Sequence, residues 1–147
     1  MEKTLSSAKY NINYHFVWCP KYRKAVLKGY IEADVKNIIE TICRTKEWEI
    51  LELKVMPDHL HLFLSVPPYE SPTGIIKILK GVSALQLFKL RPELRKTLRK
   101  GHLWSPSYYV GTAGHVSAET IKRYIQEQEI GTTTTVNSSP VSKQGSP

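Results

Sequence analysis

Cysteine is scarce: the 147 residues include only Cys19 and Cys43, and no CxxC spacing, so neither a zinc-finger pattern nor a disulfide framework is present. A chain of this length buries roughly 68–70% of its unfolded surface, enough for a core without such staples. A reducing cytoplasm is the expected setting. Long apolar runs are missing as well. None approaches the roughly 20 residues of a membrane span, and the N-terminal MEKTLSSAKYNIN lacks the apolar segment of an export signal. A soluble protein with no membrane partner is expected. Residues 131–147 have almost nothing to bury and read as a disordered tail, which leaves 1–9 as an N-terminal extension and 10–130 as one folded domain.

Acidic residues are few, 13 against 21 Lys+Arg, and the surplus of +8 is uneven. Lys77, Lys80, Lys89, Arg91, Arg95, Lys96, Arg99 and Lys100 face a single acid, Glu93, across one segment. Lys21, Arg23 and Lys24, with Lys28, form a second cluster around Tyr22. Basic charge concentrated near aromatics suits a phosphate backbone, whose condensed counterions are released on binding. A solvated basic face is the other reading. Tyr108 and Tyr109 lie close enough in sequence to the longer cluster to stack on unpaired bases.

Hydrophobic periodicity divides the chain into elements. Tyr10 to Cys19 alternates as a strand, with Tyr10, Ile12, Tyr14, Phe16 and Trp18 on one face and Asn11, Asn13, His15 and Val17 on the other. Ile31, Val35, Ile38, Ile39, Ile42 and Cys43 mark a helix over 31–46. A strand over 48–56 places Leu51, Leu53 and Val55 on one face; a turn at Pro57-Asp58 leads into another strand, 59–66. Ser71-Pro72 starts a helix to about Leu90, with Gly81 inside it. Glycine there costs roughly 1 kcal/mol relative to Ala, so a close neighbour or ligand is expected at Gly81. A short basic helix ending at Gly101, a strand before a turn at 111–114, and a helix capped by Ser117 and running to about Glu129 complete the order. Strand, helix, strand, strand, helix, strand is the split βαβ pattern of an α+β, ferredoxin-like (RRM-like) domain: a four-stranded antiparallel sheet with helices on one face. The last helix is additional.

Chemistry concentrates in MPDHLHLFLSV, residues 56–66. Successive side chains of a strand point to opposite faces, so the leucines go to the core and His59, His61, Phe63 and Ser65 to the other side. The two imidazoles then stand about 6.6 Å apart along the strand. They suit a shared metal ion, or cross-strand hydrogen bonds without metal. On the last helix Tyr124 and Gln128 share a face beside the apolar Ile121 and Ile125. Two imidazoles and a carboxamide oxygen make a nitrogen and oxygen ligand set that suits Mg²⁺ or Mn²⁺. Tyr124 is then a candidate nucleophile, and Asp58 either orients a histidine or simply forms the turn.

YHFVWCPKYRKAVL (14–27), MPDHLHLFLSV (56–66), ILKGVSA (78–84), LWSPSYYVGTAG (103–114) and ETIKRYIQEQ (119–128) together resemble the TnpA-type single-tyrosine transposases with a His-hydrophobic-His (HUH) motif, which serve small insertion sequences of the 200/605 type. The resemblance covers residues 10–130 as a catalytic domain. It implies a metal-dependent endonuclease and strand transferase in which His59, His61 and Gln128 bind Mg²⁺ or Mn²⁺ and Tyr124 is the nucleophile. It also implies a homodimer that often shares its tyrosine helices, and hairpin-bearing single-stranded transposon ends joined through a 5′-phosphotyrosine. Val82 departs from the basic residue many relatives carry in the KGxS stretch. A related site-specific nickase and a non-catalytic single-stranded nucleic-acid binder are the alternatives.

Overall fold

The computed structural model of the chain describes the backbone of residues 2–5, 8–98, 101–113 and 115–131, and their side chains except at 8, 115–118 and 128–131. A small hairpin pairs β1 (Lys3–Leu5) with β2 (Ala8–Tyr10). The main sheet is antiparallel throughout, in the order β4-β5-β3-β6, from β3 (Asn13–Trp18), β4 (Glu49–Met56), β5 (His59–Ser65) and β6 (Tyr109–Ala113). Helix α1 (Tyr30–Lys46) links β3 to β4, and α2 (Pro72–Leu90) links β5 towards β6. This is the split βαβ topology expected from the element order. A one-turn α3 (Leu94–Thr97) follows α2, and α4 (His115–Gly131) follows β6.

The two sheet faces are covered differently. Leu60, Leu62 and Leu64 of β5, with Phe16 and Trp18 of β3, join Val35, Ile38, Ile39 and Ile42 of α1 and Ile75, Ile76, Leu79 and Leu87 of α2 in one large core. On the opposite face Phe63, Ala113 and Ile125 form a second, smaller cluster, against which Leu51, Ile121 and Tyr124 pack. That cluster seats α4 on the sheet. The α2 start follows the expected capping chemistry: Ser71 Oγ accepts a 3.0 Å hydrogen bond from the Gly74 N–H, with Pro72 as first helical residue. Among the described residues no helix is long and apolar enough to cross a membrane.

Several boundaries differ from the sequence expectations, each for a local reason. The single strand expected over 10–19 is two strands, because residues 8–10 pair with 3–5 whereas the main-sheet ladder begins at Asn13. A register shift between Ile50 and Glu52 turns Leu51 away from Leu53 and Val55 and onto the α4 side, as an extra residue in a strand does. The basic helix stops at Thr97, well before Gly101, since Leu98 is already extended (φ −108°, ψ 104°). Gly111 continues β6 opposite His15, and no turn begins there. Helix α4 starts at His115, which places Ser117 inside the first turn and not at the cap.

Candidate active site

The alternation of β5 sends His59 and His61 to the α4 face, where their rings stand 5.1 Å apart between centroids at 79°. The turn before β5 aims Asp58 back at its neighbour: Asp58 Oδ1 accepts a 2.8 Å hydrogen bond from His59 Nδ1, and Oδ2 accepts one of 3.1 Å from Arg23. Burial alone would push the Asp58 carboxyl up, but hydrogen bonds and charge from His59 and Arg23 outweigh it and hold the group below its usual range. Asp58 therefore has the orienting contact the sequence left open, and Arg23 is its partner.

His61 is engaged from the neighbouring strand. Its Nδ1 lies 3.1 Å from His15 Nε2, with the two rings stacked at 17°. The alternation placed His15 on the strand face opposite Phe16 and Trp18; it is buried there, and burial lowers its pKa to about 4. The sequence placed it on the correct face. Only the pairing of β3 with β5 shows its partner.

Helix α4 brings Tyr124 to the same place. Its ring meets that of His61 edge-on, 6.3 Å between centroids. The helix is seated by fully buried Ile125, by half-buried Ile121 and by a 2.9 Å hydrogen bond from Gln126 Nε2 to Glu52 Oε1 on β4. Burial raises the Tyr124 phenol above its usual range, so it is protonated at neutral pH. Position 128 lies one turn further along the same helix, but the Gln128 side chain is outside the described residues.

The donor set fits a divalent cation. With each Nδ1 engaged, by Asp58 or by His15, Nε2 is the nitrogen through which His59 and His61 would coordinate. Among the described residues no three His, Cys, Asp or Glu are grouped so as to hold a metal ion, so none of the described residues of these types joins the histidine pair as a third ligand.

The basic residues divide by role. Arg91 pairs with Asp34 at 2.6 Å and lies over the Tyr30 ring, tying α2 to α1. Lys80 donates to the Ser105 and Ser107 carbonyls at 2.7 and 3.3 Å, lies 5.8 Å from the Tyr108 ring, and has its pKa lowered chiefly by burial. Arg95 lies over Phe88, and Lys21 over Tyr22. Lys24, Lys77, Lys89 and Lys96 are exposed, as is Tyr108. Tyr109 stands edge-on to His15, 5.9 Å between centroids. Arg99 and Lys100 lie outside the described residues. Among the described residues none outside its own helical turn comes within 4 Å of a Cβ at Gly81, so of the close neighbour or ligand expected there the neighbour is absent. Gly81 lines an open groove of about 430 Å³ with Lys80, Phe88, Arg95, His102 and Trp104, none of them from the His59 and His61 site.

Comparison with known proteins agrees across this whole region. Residues 8–128 match the family model described as "Transposase IS200 like". The chain is 39% identical over 119 residues to the ISDra2 transposase TnpA of Deinococcus radiodurans, covering 81% of this chain and 85% of that protein. It is 34% identical to the transposase for insertion sequence element IS200 of Salmonella typhimurium, covering 88% of each. Among solved structures, a Deinococcus radiodurans R1 transposase superposes with a TM-score of 0.71 at 35% identity, over 87% of this chain and 98% of the other. A REP-associated tyrosine transposase bound to a REP hairpin superposes with a TM-score of 0.62 at 15% identity, over 88% and 76%, and shares the fold.

Proposed function

Because the chain belongs to the IS200-like transposase family, we propose that it cuts and rejoins single-stranded DNA through Tyr124, with a divalent ion held by His59, His61 and Gln128. The observation that carries this reading is the Tyr124 ring set 6.3 Å from that of His61 on the face His59 shares. Bound there, Mg²⁺ or Mn²⁺ supplies Lewis-acid stabilisation of charge developing on the phosphate oxygens.

The chain's own groups account for the remainder. The Asp58 bond fixes the His59 ring, and Arg23 in turn holds Asp58. Seating of α4 by Ile121, Ile125 and the Gln126–Glu52 bond keeps the Tyr124 ring beside that of His61. Tyr124 Oη attacks phosphorus, the Oη–P bond forms as the P–O3′ bond breaks, and the phenolic proton is balanced by protonation of the departing 3′ oxygen. The products are a 5′-phosphotyrosine and a free 3′-OH. Reversal with another 3′-OH rejoins the strand and restores Tyr124, so phosphodiester energy is conserved.

Exposed Lys24, Lys77, Lys89 and Lys96 suit phosphate contacts. The hairpin form of the substrate is read by analogy with the hairpin-bound tyrosine transposase of the same fold. A homodimer is part of the same proposal; in the single chain, α4 already docks on its own sheet.

The test uses oligonucleotides copied from the DNA flanking the gene, labelled at either end and presented as single strands or as duplexes. Cleavage of single strands alone, blocked by a chelator and leaving a free 3′-OH, is the expected result. Tight hairpin binding without cleavage under any metal condition would assign the chain to the non-catalytic binders.

A further inference from the structure

His15 takes no part in the reaction as proposed, yet it is among the most enclosed polar side chains of the molecule, 4% exposed. Its ring is fixed from three directions. His61 stacks on it at 5.3 Å between centroids, whereas Phe63 and Tyr109 meet it edge-on at 6.3 and 5.9 Å. Gly111, directly across from His15 in the β3–β6 ladder, makes room for this arrangement: a Cβ there would fall 2.5 Å from the Tyr109 hydroxyl. The enclosure leaves His15 Nε2 3.1 Å from His61 Nδ1.

We infer that His15 is a positioning residue, which accepts a hydrogen bond from His61 Nδ1 and so holds His61 in the tautomer whose Nε2 carries the coordinating lone pair. This rests on the proposed reading that His61 is a metal ligand. A single proton lies between the two nitrogens. If His15 donated it, the neutral His61 ring would carry its own proton on Nε2 and could not coordinate there. If His61 donates it, Nε2 of the same ring is deprotonated, and His15 keeps its proton on Nδ1. Coordination by His61 therefore requires His15 to accept.

The arrangement also makes the two metal-binding histidines equivalent in tautomer by different means. Asp58 accepts from Nδ1 of His59, as His15 does from Nδ1 of His61. The carboxylate adds negative charge behind His59. The imidazole adds none, so His15 selects a tautomer without placing a second anion on the sheet. A purely structural histidine would need the packing but not this bond.

The experiment observes the histidine ring nitrogens of the full-length, metal-free protein by ¹⁵N NMR near neutral pH, then titrates Mn²⁺ by calorimetry. Wild type is expected to show His61 protonated at Nδ1. His15→Phe keeps a flat ring but offers no acceptor; it should shift the His61 tautomer and weaken Mn²⁺ binding by about 10–100-fold. His15→Gln, whose carboxamide oxygen reaches near the former Nε2, should restore the tautomer and most of the affinity. A wild-type His61 protonated at Nε2 would overturn the inference, as would a Phe variant with unchanged tautomer and affinity. Should the Phe variant fail to fold, the wild-type tautomer decides alone. Nδ1 protonation in a protein that takes up no Mn²⁺ would uphold the hydrogen-bond assignment and sink the metal reading instead.

Discussion

The two faces of one sheet do opposite work. Towards α1 and α2, β5 presents Leu60, Leu62 and Leu64 to a continuous apolar core. Towards α4, the same strand presents His59, His61 and Phe63, and the apolar contact there rests on Phe63, Ala113 and Ile125. The larger core lies on the first face and the candidate site on the second. A helix seated by a small cluster can be repositioned without melting the domain, which suits the role proposed for Tyr124.

The sharpest way to break this comparison is to truncate one buried residue on each face. Leu62→Ala should lower global stability by about 2–5 kcal/mol in a denaturant titration, from lost transfer energy and a residual cavity. Ile125→Ala should shift the global midpoint less, because α4 can detach while the core stays folded, and its α4 amides should exchange faster with solvent. Equal global losses for the two variants would show that α4 is part of the main cooperative unit.

Acid should act through the polar face. His15 has its pKa lowered to about 4 from an ordinary 6.5, by burial. Its protonated form is thus favoured in the unfolded chain, so stability is full above about pH 6.5, falls as pH drops towards 4, and levels off below. The groups facing it are His61 from β5 and Tyr109 from β6. The shift corresponds to about 3 kcal/mol at most. Thermal melts of the metal-free protein across that window should show this loss, and His15→Phe should flatten it. An identical slope in the variant would assign the acid sensitivity to another group.

Smaller effects sharpen the contrast. Gly81→Ala, in a helix of the core face with open space at the Cβ position, should raise stability by up to about 1 kcal/mol. A loss in the same denaturant titration would mean that the groove is filled in solution. Glu52→Ala, which removes the acceptor for Gln126, should change global stability by less than about 1 kcal/mol while loosening α4 in hydrogen exchange. Unchanged exchange would show that this bond does not help to seat the helix.

Much of the fold was legible because β5 alternates strictly and α1 has one apolar stripe, so periodicity and face agree. The strand pair His59 and His61 was legible because period two puts both imidazoles opposite the leucines, and Tyr124 because helical spacing sets it beside the apolar Ile121 and Ile125. Leu51 was misplaced because a bulge changes the parity of a strand without leaving a signal in composition. His15 was put on the correct face but not in the site. Its role depends on β3 running antiparallel beside β5, which sets a contact 46 positions away in sequence. The basic residues show the same limit. Charge marked Arg91 and Lys80 as candidate DNA contacts but gave no sign of their partners, Asp34 and the carbonyls of Ser105 and Ser107, which only the fold brings near.

The central claim is that Tyr124 forms the covalent link. The protein is mixed with Mg²⁺ or Mn²⁺ and single strands copied from the ends flanking its gene, and then examined by intact mass and by mapping the modified peptide. The expected result is a metal-dependent mass increase equal to the strand downstream of the cut, located on Tyr124 and abolished in Tyr124→Phe. An adduct on a different tyrosine, or hairpins bound tightly with no adduct under any metal condition, would contradict it.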